Sequence, residues 1–256
     1  MIDTRAVVDS GARIDLDVDI GPYSVIGKDV SIGRGTRIGP HVVIEGPCEI
    51  GEDNQIFPFC ALGGAPQDKK YAAEPTRLVI GNRNTIRESC TFNRGTTQDD
   101  GVTRVGDDNW IMAYVHIAHD CLVGNNVIMA NNTTLAGHVR VDDWVILGGF
   151  TKVHQFCRIG QHSFSAMDCA FSRDLPPYVM AAGHLAEPRG INSEGLRRRG
   201  FSRESISRIR DAYRILYRSD LRLEDAISRL RETASEHAEI AVLVDFLESS
   251  ERSIIR

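Results

Sequence analysis

An aliphatic side chain recurs at every sixth residue from Val8 through Ile14, Ile20, Ile26, Ile32, Ile38, Ile44, Ile50 and Ile56 to Leu62. The rhythm resumes at Ile80, Ile86 and Phe92, then runs from Val105 through Ile111, Ile117, Val123, Met129, Leu135, Val141, Leu147 and Val153 to Ile159. A period of six fits neither the 3.6-residue turn of a helix nor the two-residue alternation of a simple strand. It fits short strands joined by tight turns, each hexad forming one side of a prism with its aliphatic residue pointing inward. Three sides make a coil of eighteen residues, and coils stack at about 4.8 Å, the ordinary strand spacing. Glycine directly follows 11 of these 23 positions, as in Ile20-Gly21 and Ile32-Gly33. We expect it to supply turn conformations that a side chain would forbid.

The pattern resembles the hexapeptide repeats of the left-handed parallel β-helix; the handedness comes from that resemblance, since the general crossover rule favours the right hand. With 42% apolar residues in 256, the chain has ample material for a core. A formal charge of −5 argues against a surface built wholly for nucleic acid. No apolar run approaches the eighteen or so residues of a membrane span, and the start Met-Ile-Asp-Thr-Arg is not that of a secretory signal, so a cytoplasmic protein is expected. Cys48, Cys60, Cys90, Cys121, Cys157 and Cys169 all lie two residues before a step of the repeat. Ala12, Ser24, Thr36, Asn54, Thr133 and Thr151 share that slot, so the cysteines read as compact buried residues rather than disulfide partners or zinc ligands.

Two segments interrupt the repeat, residues 63–77 and 94–104, and both read as loops leaving the prism. Asp68 and Glu74 fall on steps and cannot be core. The periodicity weakens after Ile159, and Pro176-Pro177 marks a change of architecture. The expected organisation is a β-helix domain over 1–186 and an α-helical C-terminal domain over 187–256. Ser202 is the expected N-cap of a helix whose Ile206, Ile209, Tyr213 and Leu216 share one face. A second helix carries Leu223, Ile227, Leu230 and Ala234, and a third Val242, Leu243, Phe246 and Leu247. Between residues 189 and 218, nine arginines face only Glu194, Glu204 and Asp211.

His119, His138 and His154 are separated by one coil plus one residue and then by nearly one more, which places all three along one longitudinal edge. His116 lies just before, in His116-Ile117-Ala118-His119-Asp120. An imidazole suits general-base work near neutral pH. Three of them also suit zinc with an open position, so a zinc hydrolyase of the carbonic-anhydrase type stands as an alternative.

More specific likeness is carried by Gln67-Asp68-Lys69-Lys70-Tyr71, Glu74-Pro75-Thr76-Arg77, the His116–Asp120 segment, Asn131–His138, Val153-His154-Gln155-Phe156-Cys157 and Asn192–Phe201. Over nearly its whole length the chain resembles the UDP-N-acetylglucosamine O-acyltransferases of bacterial lipid A biosynthesis. The resemblance implies transfer of a 3-hydroxyacyl group from acyl carrier protein to the glucosamine 3-hydroxyl of UDP-N-acetylglucosamine, in a homotrimer whose sites lie between adjacent prisms. It makes His119 the general base, with Asp120 supporting it, although neighbours on a strand point to opposite faces. The backbone N–H of Gly137 or His138 is then the oxyanion donor. Gln67, Asp68, Lys70, His116, His138, His154 and Gln155 match positions that hold the sugar nucleotide or the acyl donor. Asn192, Glu194, Arg198 and Arg199 match the nucleotide-binding segment, where guanidinium suits diphosphate. The arginine excess also suits acidic acyl carrier protein. No metal or cofactor is implied.

Three positions depart from the family pattern. Asn93 stands where many relatives have histidine, which opens a 3-amino-sugar acceptor as an alternative. Gly183-His184 replaces a Gly-Asn pair. Met167 replaces a glycine found in relatives that accept long chains, and the resemblance implies a donor of about ten carbons rather than about fourteen. Another hexapeptide-repeat acyltransferase is the nearest competitor. A passive scaffold would require uninterrupted coils with one regular face, which the two polar loops and the basic tail contradict.

Overall fold

The computed structural model describes residues 1–256. The chain winds as a left-handed parallel β-helix of three sheets and ends in a small helical bundle. The first face holds nine strands from Val7–Val8 to Ala170–Phe171, the second eight from Arg13–Ile14 to Arg158–Ile159, and the third ten from Asp19–Ile20 to Glu187–Ile191. Most strands are two residues long, and successive coils pair in parallel with a shift of eighteen, as Val25 with Val43. The step residues point inward as the sequence predicts. Ile44, Ile86, Ile111, Ile117 and Leu135 are fully buried, and 42 buried residues form one continuous core along the prism. Each aliphatic side chain so buried contributes about 1.5–3 kcal/mol, which offsets the ordering of strands too short to persist alone.

Glycine's role differs from the expectation. Among the glycines that directly follow a step, only Gly63 has a positive φ, 76°. The others are selected by crowding: a Cβ on Gly33 would lie 2.7 Å from the carbonyl carbon of Gly51, and one on Gly106 would lie 2.6 Å from the carbonyl oxygen of Gly124. Backbones of successive coils approach too closely there for any side chain. The left-handed conformation falls instead three residues after a step, on Asp53 (φ 56°), His138 (φ 61°) and Phe156 (φ 64°) among others. Asp, Asn and His tolerate this region, and the aromatic occupants stack from coil to coil. Tyr23, His41 and Phe59 form one such ladder, with ring centroids 5.2 and 5.3 Å apart.

The six cysteines are all buried. Their slot holds a donor to a carbonyl of the next coil: Ser24 Oγ reaches Gly39 at 2.8 Å, Thr36 Oγ1 reaches Gly51 at 2.9 Å, and Cys121 Sγ reaches Ala136 at 3.1 Å. The slot thus accepts compact buried side chains and offers those able to donate a carbonyl of the next coil, so serine, threonine, asparagine and cysteine occur there alongside valines such as Val30 and Val42.

Both loops leave from the corner between the first and second faces. Ala61 pairs with Thr91, thirty residues on rather than eighteen, and Thr91 pairs with His116, twenty-five on. The first excursion thus adds two whole hexads and the second adds seven residues. Asn93 and Arg94 staple the base of the first loop. Asn93 Nδ2 donates to the Ala65 carbonyl at 3.0 Å, and Arg94 Nη1 to those of Gly46 and Gly63 at 3.0 and 2.7 Å.

Beyond the prism, Glu187–Ile191 runs antiparallel to Val179–Ala182 and extends the third face. Four helices follow: α1 (Ser193–Arg198), α2 (Arg203–Arg218), α3 (Leu223–Ala234) and α4 (Ala238–Glu248). Ser202 caps α2 by accepting from Ser205 N–H at 3.0 Å, as its sequence predicts. Leu196, Ile209, Leu216, Leu230, Leu243 and Phe246 belong to a separate helical core. The short helix α1 and the return of the last residues to the prism have no counterpart in the sequence reading.

Candidate active site

His119 and Asp120 sit where the chain turns from the first face to the second. Asp120 is not on a strand. Its φ of 59° places it at the corner, so its side chain turns back to its neighbour, and His119 Nδ1 lies 2.8 Å from Asp120 Oδ2. The objection that strand neighbours point apart therefore does not apply. The second loop closes over this carboxylate. Thr96 donates to it twice, from its backbone N–H to Oδ1 and from Oγ1 to Oδ2, each at 2.7 Å. Thr103 Oγ1 accepts the Asp120 N–H at 2.8 Å. Only 3% of Asp120 is exposed. Burial works to raise its pKa, but the hydrogen bonds from His119 and Thr96 outweigh that and hold the carboxyl below its ordinary range.

With Nδ1 donating to a carboxylate, His119 carries its lone pair on Nε2. Gly137 packs against that side of the ring: a Cβ there would lie 2.5 Å from His119 Cε1 and 2.7 Å from Nε2. The two oxyanion candidates separate here. His138 N–H donates to the His119 carbonyl at 3.0 Å, so it is occupied by the coil-to-coil ladder, and the Gly137 N–H has no backbone acceptor. The His138 side chain remains at the site. Its ring meets that of His119 edge-on at 5.2 Å between centroids and stacks on Phe156 at 4.5 Å, and its Nδ1 lies 3.0 Å from Asp99 Oδ2 of the second loop.

Asp68 is joined to the second loop through Gln98 Nε2 at 3.0 Å and accepts the Lys70 N–H at 2.9 Å. These bonds, with a smaller attraction from His119, hold its carboxyl below the usual range. Gln67 and Lys70 are exposed on the same loop. His116 lies on the first face, its Nδ1 2.7 Å from Thr91 Oγ1, and burial lowers its pKa. Beside His138 a cavity of about 370 Å³ is lined by Asp99, Arg140, Phe156, Arg158, Ser249 and Glu251. A second, of about 400 Å³, shares Asp99 and Arg140 with it and is lined also by Arg77, Arg104 and Asp120.

His154 does not join the cluster. Its Nδ1 is 2.7 Å from Arg252 Nη2, and Gln155 beside it is exposed. The groups able to share a cation are His119, Asp120 and His138, whose ligand atoms lie within 4.8 Å of one another, so the three-imidazole set expected for zinc is replaced by a carboxylate already carrying three hydrogen bonds.

The Asn192–Arg199 segment, the expected nucleotide contact, stands at a different corner, between the second and third faces. There Trp144, His162 and Tyr178 stack, and Arg199 lies over Trp144 at 5.2 Å with its Nη1 3.3 Å from His162 Nδ1. Burial, then this guanidinium, brings His162 down to about 4. Asn192 caps α1, accepting the Gly195 N–H at 3.1 Å and donating to the His162 carbonyl at 3.0 Å. Glu194 pairs with Arg197 and, at 2.8 Å, with Arg198, both exposed. One chain thus brings His119, Asp120, Gly137 and His138 together and leaves Asn192, Glu194, Arg198 and Arg199 one prism side away. Met167 is 72% exposed at the third corner. Thr96, Asp99, Thr103 and Arg252 are absent from the sequence-predicted set. Their only signal is the position of the first three in the phase-breaking segment 94–104.

Comparison with known proteins gives consistent results. The family described as UDP-N-acetylglucosamine O-acyltransferase, domain 2, matches residues 174–255, and the bacterial transferase hexapeptide repeat matches residues 17–46 and 103–137. The chain is 58% identical over 260 residues to the acyl-[acyl-carrier-protein]--UDP-N-acetylglucosamine O-acyltransferase of Herminiimonas arsenicoxydans, with 100% of this chain and 99% of the relative covered. It is 58% identical over 255 residues to the protein of the same name from Thiobacillus denitrificans, with the same coverage. The crystal structure of the UDP-N-acetylglucosamine acyltransferase of Francisella novicida superposes with a TM-score of 0.98 at 42% identity, covering 100% of this chain and 94% of that one.

Proposed function

The chain belongs to the UDP-N-acetylglucosamine O-acyltransferase family, and on that premise we propose how its corner residues move an acyl group from acyl carrier protein onto UDP-N-acetylglucosamine. His119 Nε2 takes the proton of the glucosamine 3-hydroxyl as that oxygen attacks the thioester carbonyl. Asp120, ionised and held by Thr96, keeps the His119 tautomer fixed and stabilises the imidazolium that forms. The Gly137 N–H, free of the ladder, stabilises the tetrahedral oxyanion. Collapse breaks the carbon–sulfur bond, and His119 returns its proton to the departing pantetheine thiolate. The 3-hydroxyacyl donor, the hydroxyl acceptor and the place at the start of lipid A synthesis follow from the sequence resemblance. What supports the reading most is the His119–Asp120 pair at 2.8 Å, capped by Thr96 and closed by a glycine that touches the imidazole.

The separation of the two corners supports a homotrimer, in which the Asn192–Arg199 segment of one copy faces the catalytic corner of the next. No helix is long and apolar enough to cross a membrane, and we place the reaction in the cytoplasm with acyl carrier protein. Purified protein given 3-hydroxyacyl carrier protein and UDP-N-acetylglucosamine forms the 3-O-acylated sugar nucleotide, in the presence of a chelator as well as without it. Absence of product sinks the proposal, and loss of activity in chelator that zinc restores favours the metal reading.

A further inference from the structure

The last eight residues, Ser249 to Arg256, bridge the two cores: Ile254 packs in the helical core and Ile255 in that of the prism, and between them and α4 the chain passes beside His154 and Gln155, two coils above His119. Asp174, with no exposed surface, accepts Ser250 Oγ at 2.7 Å on one oxygen and the Arg158 N–H at 2.8 Å on the other. Its own N–H donates to the Ser253 carbonyl, and its carbonyl accepts from Ile255, both at 2.9 Å. The Arg158 guanidinium lies 4.6 Å from the Phe246 ring centroid and donates to Ser249. Ile254 and Ile255 are buried. The strap is therefore anchored on both sides of Arg252, and its Ser249 and Glu251 form one wall of the cavity beside His138.

From this strap Arg252 Nη2 reaches His154 Nδ1 at 2.7 Å and the Gln155 carbonyl at 3.0 Å. A guanidinium has donors only, so His154 Nδ1 accepts and the ring proton of the neutral imidazole resides on Nε2, which points away from the strap. Without Arg252, the Gln155 carbonyl, 3.2 Å from the same Nδ1, would draw that proton to Nδ1 instead. Two tautomers compete at His154, and a residue 98 positions away in sequence decides between them.

We propose that Arg252 is a positioning residue that fixes His154 as an Nε2–H donor, presented to an oxygen acceptor of the acyl or sugar substrate. This rests on the reading of His154 as a substrate contact. In the other tautomer the ring offers a lone pair to the same oxygen and repels it, so the strap couples the C-terminal bundle to substrate placement without touching the reacting atoms.

The test is a double-mutant cycle on the full-length enzyme, with kcat/KM, melting temperature and histidine-nitrogen NMR as readouts. Arg252→Ala and His154→Ala each lower kcat/KM by about tenfold, as loss of one charge-assisted or substrate hydrogen bond does. Together they lower it no further, because both remove one device. Arg252→Lys, which retains a donor, recovers part of the loss even where Arg252→Ala lowers the melting temperature. The His154 resonance moves from the Nε2–H tautomer toward a mixture in Arg252→Ala. Effects that multiply to about a hundredfold, or an unchanged tautomer, overturn the proposal. A silent His154→Ala overturns the substrate-contact reading and the proposal with it, and that single variant tells this failure from the multiplicative one.

Discussion

At the corner between the first and second faces, His119 and Thr96 converge on one buried carboxylate, with His138 Nε2 3.6 Å away. At the corner between the second and third faces, Asn192 and Arg199 are engaged by the fold itself, as a helix cap and as a cation over a ring stack, while Glu194 and Arg198 face outward. The first corner buries its carboxylate under the second loop, because a bare corner of the prism leaves its side chains in water. The second corner needs no such loop: a stack of rings and a helix end suffice to present a guanidinium. The uniform prism supplies position, and the second loop supplies the desolvation and the hydrogen bonds that position alone lacks.

The sharpest way to break that contrast is to remove the proposed base. His119→Ala lowers kcat by about 10²–10⁴ with the melting temperature retained, since the imidazole is partly exposed and the coil's core residues are elsewhere. Steady-state kinetics and thermal melting check both halves, and a loss below tenfold sinks the assignment of His119. Gly137→Ala produces a loss approaching that size by a different route, because the new Cβ lies 2.5 Å from the imidazole and must displace it.

Asp120→Asn tests whether the buried carboxylate orients the base or only braces the loop. Loss of the orienting charge lowers kcat by about 10²–10³, while Thr96→Val, which removes one of its donors, lowers it by about tenfold. The two also differ with pH. The folded pKa of Asp120 is depressed, so its ionised form stabilises the fold above its ordinary range near pH 4, and that contribution fades as pH falls through and below that range. Melting temperatures of the parent therefore decline below about pH 4, and Asp120→Asn loses that part of the decline. Identical acid profiles refute the claim that this carboxylate stabilises its corner.

How much of this is legible in the chain depends on whether a feature repeats. The steps are readable because every coil repeats the same inward position, and the small-donor slot shows in the placement of Cys48, Cys60 and Ser24 even though its hydrogen bond does not. The first loop hides its size: an insertion of two hexads preserves the phase, so only the polar Asp68 and Glu74 on steps reveal it. The seven-residue excursion shifts the phase between Phe92 and Val105 and is plainer. Thr96, 24 residues from Asp120, and Ser250, 76 from Asp174, are not legible, because nothing periodic links a loop or a tail to the coil it covers. The reason for glycine is hidden on similar grounds. Its neighbour in conflict lies one coil away, outside any local window.

At the second corner the expected effect is smaller and falls on binding. Arg198 is exposed and shares Glu194 with Arg197, so its removal leaves the fold intact and takes one charge from a diphosphate. Arg198→Ala raises KM for UDP-N-acetylglucosamine by about tenfold with kcat little changed. An equal fall in kcat erases the distinction between a corner that reacts and a corner that holds.

The third corner, between the third and first faces, extends the comparison with the smallest effect. Two residues after successive steps it presents Ala113, Asn131, Gly149 and then Met167, so a column of shorter side chains ends at a thioether. Met167 overhangs the glycine below it, since a Cβ on Gly149 would meet its Cε at 3.9 Å. Because Met167 is largely solvent-exposed and packs into no core, its truncation leaves the melting temperature unchanged and acts only on whatever lies along that column. An acyl chain laid there meets Met167 as an end stop. Met167→Gly shifts the ratio of kcat/KM between long and short acyl donors by about fivefold in favour of the long ones, measured with a series of acyl carrier thioesters of increasing length. A ratio that does not move means that the chain is measured by another surface, and that this corner, unlike the other two, takes no part in the reaction.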